Sequence, residues 1–237
     1  MSIVVVSGHR RSGTSMMMRA LHSAGLPALY DKGLQGRDSK PDAAGYAPNH
    51  PEGLFEVGYF NLLKPEFMRS LVARDVGTFA VKVTWDCLVY LPKGDWKIIF
   101  MHRSGDEIDA SCRRVDKYIA DQVDGDYQTD LKQRTSTLIS RSKALPFSCF
   151  RPYSHDNITH VLDIMRERRD VELLSVQYQD VIDDPVKVFE YLKYTPLHRE
   201  RLPLDVDKAA AVIDEKLHRV RKQCLPPKPG SGVTHQQ

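Results

Sequence analysis

The chain has 237 residues, 41% of them hydrophobic, enough to bury the core of a single α/β domain. Its net charge of +3 comes from 34 basic against 31 acidic residues. That balance argues against a surface built to wrap nucleic acid, but leaves room for a local anion pocket.

Four cysteines (Cys87, Cys112, Cys149 and Cys224) lie far apart without C-x-x-C spacing. Neither a zinc site nor a disulfide framework is expected, and a reducing compartment suits them. No apolar run approaches the roughly 20 residues that span a bilayer. The N-terminus enters a strand without a basic n-region and cleavage site. The expectation is a cytoplasmic protein with no signal peptide and no membrane partner.

In chain order, Ile3 to Val6 is a β-branched run suited to a strand buried on both faces. From Thr14, the spacing of Met17, Leu21 and Leu26 with Ala20 and Ala24 predicts a helix packed on a sheet. Leu26 to Leu29 reads as a short second strand. Tyr30 to Gly53 is polar and aperiodic, a length of loop that usually serves as a lid or mobile segment. Tyr59 to Val72 reads as a helix, kinked or divided at Pro65.

Phe79 to Val83 predicts a strand carrying Lys82, and Asp86 to Leu91 a helical turn. Trp96 to Met101 is the best strand after the first, followed by a helix over Gly105 to Val123. Asp124 to Asp130 breaks that helix, and Leu131 to Lys143 resumes a polar one. Asn157 to Arg168 predicts a helix, Val171 to Val176 a strand, and Pro185 to Tyr194 a helix with proline in its first turn. Asp207 to Lys222 reads as the last helix, and the tail from Pro226 as disordered. Strands alternating with helices predict a three-layer α/β/α domain over residues 1–225, with a central parallel sheet.

Gly8 and Gly13 match the glycine frame of the nucleotide loop G-x-x-x-x-G-K-[ST], with Ser15 in the hydroxyl position. Thr14 stands where that loop carries its phosphate-gripping lysine, and the positive charge has moved to Arg10 and Arg11. The strand ending at His102-Arg103 supplies no aspartate for magnesium. A phosphate or sulfate cradle from loop amides, Arg10 or Arg11, Ser12, Gly13, Thr14 and Ser15 is the expected chemistry. A second strand-to-helix turn, Arg103 to Ser111, should face the same crevice, because open α/β sheets bind ligands at the carboxyl ends of their strands.

The two motifs together resemble the sulfotransferase family that uses 3′-phosphoadenosine-5′-phosphosulfate (PAPS), a family with a P-loop NTPase-like fold. Arg11-Ser12-Gly13-Thr14-Ser15 is similar to the family's [KR]-S-G-T-[TS] loop, which binds the 5′-phosphosulfate. Arg103, with Ser111 eight positions later, resembles its 3′-phosphate site. Tyr178-Gln179-Asp180-Val181-Ile182-Asp183-Asp184-Pro185 resembles Y-E-D-L-x-x-D-P, whose tyrosine often lies near adenine. Asn49-His50-Pro51-Glu52-Gly53-Leu54-Phe55-Glu56 is similar to the N-P-x-G-[FY]-[FW]-E segment of bacterial members, with one residue inserted. Ile213 to Arg219 resembles their last helix. The matches occur in family order.

The resemblance implies metal-free sulfuryl transfer to a hydroxyl or amine on a small-molecule, glycan or peptide acceptor. It places Arg11 at the family's catalytic lysine position. Arginine stabilises charge but is a poor proton donor, so its role is electrostatic, and Arg10 either shares it or is solvated. The base is open: the family's Lys-Thr-His-Leu-Pro segment is here Val81-Lys82-Val83-Thr84-Trp85, without the histidine. Glu56 is the first candidate, His50 and Asp86 are alternatives, and Lys82 either steers sulfate or pairs with a carboxylate. His102 reads as packing at a strand end. Arg221, in the basic cluster with Arg219 and Lys222, either closes over the 3′-phosphate or favours the helix C-terminus. Tyr46, Phe55, Tyr59 and Trp85 either wall an acceptor pocket or pack in the core. The acceptor's identity and the oligomeric state are not legible.

Overall fold

A computed structural model describes residues 3–30, 55, 65–73, 77–122, 155–194 and 202–213, with only the backbone for 114–122. Five strands form one parallel sheet: β1 (Ile3–Gly8), β2 (Ala28–Leu29), β3 (Phe79–Lys82), β4 (Trp96–His102) and β5 (Val171–Gln177). Their order across the sheet is β2-β3-β1-β4-β5. The helices are α1 (Thr14–Ser23), α2 (Pro65–Val72), α3 (Gly105–Gln122), α4 (His155–Glu167), α5 (Tyr178–Asp183), α6 (Pro185–Tyr194) and α7 (Val206–Ala211), with a 3-10 helix at Trp85–Tyr90.

The three layers follow from alternation along β1. Val4 and Val6 point to a core built with Met17 and Leu21 of α1, Phe189 of α6 and Ala209 of α7. Ile3 and Val5 point the other way, into a core with Leu71 of α2, Trp85 and Leu88 of the 3-10 helix, and Val161 of α4. Side chains of period two between two helical layers explain why the run is apolar at every position. Each such fully buried aliphatic side chain contributes roughly 1.5–3 kcal/mol.

Several element boundaries differ from expectation. α2 begins at Pro65, where a missing N–H costs nothing, and residues 59–64 lie outside the described residues. The last helix does not run to Lys222 as one described element. It starts at Val206, where the Asp205 side chain accepts from the Lys208 N–H at 3.2 Å, and stops at Ala211. There the Val212 carbonyl accepts from the Arg19 guanidinium, and the Ile213 N–H turns back to Ala210. Residues 214–222 lie outside the described residues.

The sheet order positions the site. From β1 the chain moves toward β2 on one side of the sheet, and from β4 it moves to β5 on the other. β1 and β4 are adjacent, with Gly8 opposite Met101. The loops after these two strands therefore diverge and leave a crevice at their carboxyl ends. Among the described residues no helix is long and apolar enough to cross a membrane.

Candidate anion site at the β1 and β4 strand ends

The loop after β1 is a tight turn in which the Ser12 N–H donates to the His9 carbonyl at 3.1 Å. Its third position, Arg11, has φ 69, a left-handed conformation that turns normally give to glycine or asparagine. Such a residue stores roughly 1–3 kcal/mol of strain and persists only when its surroundings hold it. Two contacts do so here. The Arg103 Nη1 donates to the Arg11 carbonyl at 2.9 Å, and the Arg11 Nε donates to the Ser111 hydroxyl at 2.9 Å.

Glycine is required twice in this turn. A Cβ on Gly8 would lie 2.4 Å from Ser12 Oγ and 2.7 Å from the Met101 carbonyl. A Cβ on Gly13, at φ 98, would lie 2.4 Å from the Tyr178 ring. Gly13 then opens α1, whose first turn has neither a side-chain cap nor an acidic residue. The orphan amides of that turn and the positive end of the helix dipole are thus left for an anion. Ser12 adds a second sign of a ligand: it is fully buried, and its Oγ has no hydrogen-bond partner in the described structure. A buried hydroxyl left so costs about 1–3 kcal/mol, which an anion accepting its proton would recover.

Cations converge on the loop from three elements. Lys82, at the end of β3, donates to the Ser15 hydroxyl at 3.0 Å. Arg10 is exposed on the loop. Arg103 donates to Glu107 at 3.1 Å and lies 4.2 Å over the Tyr178 ring. Burial pushes the Tyr178 hydroxyl pKa up, partly opposed by Arg103, so the ring is a neutral platform for the guanidinium. Thr14 is buried at the helix start.

Arg10, Arg11, Ser12, Gly13, Thr14, Ser15, Lys82, Arg103, Ser111 and Tyr178 thus belong to one neighbourhood. One detail differs from expectation. Ser111 does not bond Arg103 directly; the Arg11 side chain and carbonyl stand between them. His50, Glu56 and Arg221 lie outside the described residues.

Other candidates fall in the core. Trp85 and Phe55 are each only 2% exposed, so neither walls an open pocket; Phe55 stacks with His22 and Tyr30. Asp86 is buried in the first turn of the 3-10 helix. His102 packs on the Phe100 ring and reaches the Ser175 hydroxyl, and burial lowers its pKa.

Sequence reasoning missed two residues. Glu107 was legible, since four positions separate it from Arg103 at a helix start. His9 was hidden inside the glycine frame, where only its place in the turn shows its neighbours. No family model matches the chain, and no curated protein matches it at a significant level.

Proposed function

We propose that the protein is a PAPS-dependent sulfotransferase on a P-loop-like fold, moving a sulfuryl group to an acceptor hydroxyl or amine. The observation that carries the reading is the junction of its two motifs. Arg11, from the loop after β1, donates to Ser111, 100 residues later and beyond β4. A loop for one phosphate group and a turn for a second, in a single crevice, suit a nucleotide phosphorylated at both ends of its ribose. The uncapped α1 N-terminus and the buried Ser12 hydroxyl fit the 5′ group.

In this reading Ser12, Gly13, Thr14 and Ser15 hold the 5′-phosphosulfate with loop and helix amides. Arg103 and Ser111 hold the 3′-phosphate, and Tyr178 backs Arg103 beneath the nucleotide. Arg11 faces the bridging oxygen, where negative charge gathers as the S–O bond breaks. Fixed donors aimed at developing charge are usually the largest single catalytic contribution, worth about 10²–10³ in rate per donor. Lys82 adds a second cation from β3. The acceptor may be of any class whose hydroxyl or amine reaches this crevice: small molecule, glycan or peptide.

Calorimetric titration with adenosine 3′,5′-bisphosphate, AMP and magnesium ATP tests the reading. Binding that needs the 3′-phosphate is expected, followed by release of the bisphosphate from PAPS. Equal or tighter binding of magnesium ATP would overturn it in favour of a phosphotransferase. Bisphosphate binding without any turnover of PAPS would leave a non-catalytic nucleotide-binding module.

A further inference from the structure

On the α4 side of the same strand ends, His9, Ser12, His102, Arg103, His155 and Thr159 line an open cleft. The cleft therefore touches the phosphate loop directly, through His9 and Ser12. His9 is 6% exposed, and its Nδ1 lies 3.0 Å from the Arg10 carbonyl. A carbonyl can only accept, so Nδ1 carries the hydrogen. In the neutral ring Nε2 then carries the lone pair.

The groups around this ring come from each neighbouring element. Arg10 lies on its own loop, Asp86 on the 3-10 helix and Asp109 on α3. His102 and Arg103 at the end of β4 and His155 at the start of α4 share its cleft. Burial lowers the His9 pKa most, the Arg10 carbonyl opposes this, the Arg10 charge lowers it, and Asp109 and Asp86 raise it. The net direction is downward, so the ring is neutral at pH 7 and ready to accept a proton.

We infer that His9 is the base of the transfer reaction, and that the cleft between the end of β4 and the start of α4 seats the acceptor. The inference rests on the sulfotransferase reading. The acceptor's O–H or N–H bond breaks, and its electron pair forms the new bond to sulfur. The bond from sulfur to the bridging oxygen breaks, and its pair leaves with the bisphosphate. The proton passes to His9 Nε2, where Asp86 and Asp109 stabilise the imidazolium. This places the base on the phosphate loop itself, one turn from the hydroxyl of Ser12.

The test is single-turnover release of bisphosphate from PAPS, with water alone and with 2-naphthol as probe acceptors. The wild type is compared with His9→Asn. The asparagine amide takes over the donation to the Arg10 carbonyl but removes Nε2. Positioned bases contribute about 10²–10⁴ in rate, so a loss of a hundredfold or more is expected. Bisphosphate affinity should stay within threefold. The wild-type rate should rise on a one-proton limb with its midpoint below the ordinary histidine value of 6.5, and the variant should lack that limb.

A variant that keeps its rate within threefold overturns the assignment and leaves the sulfotransferase reading intact. Wild-type protein that binds bisphosphate but turns over neither probe overturns it too. Wild-type protein that fails to bind bisphosphate overturns the reading beneath. Imidazole ¹⁵N spectra of the wild type at pH 7 provide a readout independent of the variant's folding. An unprotonated Nε2 supports the assignment, and an Nε2–H tautomer refutes it.

Discussion

The Arg11 guanidinium donates to the Ser111 hydroxyl at 2.9 Å, while Arg11 itself holds a left-handed backbone. The two facts belong together, because the side-chain bond and the Arg103 contact to its carbonyl hold a conformation that arginine disfavours. Arg11→Gly relieves the strain and loses the Ser111 bond. Unfolding free energy should change by no more than about 1 kcal/mol, since both effects are of that size. Under the proposed function, PAPS turnover should fall about a hundredfold or more. Denaturant melts and single-turnover rates measure the two separately, and a variant with intact turnover would remove Arg11 from the reaction.

Arg103 binds the Arg11 carbonyl, Glu107 and the Tyr178 ring with one planar fork. Lysine has the charge but not the fork, so Arg103→Lys should not substitute for it. Hydrogen bonds to charged groups are worth about 1.5–3 kcal/mol, so bisphosphate affinity should fall roughly ten- to a hundredfold. Titration calorimetry of both proteins measures this, and unchanged affinity would argue against a 3′-phosphate contact.

Lys82 reaches the α1 N-terminus through Ser15 at 3.0 Å. Lys82→Met keeps the apolar stem and removes the charge. Melting temperature should hold while bisphosphate affinity drops about tenfold, the effect of one charge-assisted contact. An affinity loss that vanishes in high salt would instead mark long-range attraction.

Gly13 has φ 98, with Tyr178 where a side chain would go. Gly13→Ala combines a left-handed alanine with a clash against the buried ring. A loss of about 2 kcal/mol or more in stability is expected from strain and displaced packing. Chemical denaturation measures it, and Gly25→Ala is the control, since it meets open space at the same sign of φ.

Asp170 accepts from Arg168 at 2.7 Å and from the Gly94 N–H at 2.9 Å, tying β5 to the turn before β4. The Arg168 bond holds its carboxyl well below the usual range. A depressed folded pKa means the stabilisation is complete above the unfolded value, near 3.8, and is lost as pH falls below it. The pair is partly solvated, so its contribution is about 1 kcal/mol. Asp170→Asn should cost that much at pH 7 and converge on the wild type below pH 3, as urea melts across that range would show.

Local pattern carried much of this fold. β-branched runs at Ile3–Val6 and Trp96–Met101 had to be central strands, since apolar residues at every position need cover on both faces. The spacing Gly8 to Gly13 and the hydroxyls after it marked an anion loop, because backbone chemistry there depends on a few neighbouring residues. Tertiary structure decided what pattern cannot reach. The β2-β3-β1-β4-β5 order alone makes the loops after β1 and β4 neighbours. It therefore sets Arg11 on Ser111, Tyr178 against Gly13, and His9 in a cleft with His155. Pairings across 100 residues or more come from how twisted strands pack between two helical layers. A residue's own neighbours in sequence say nothing of that.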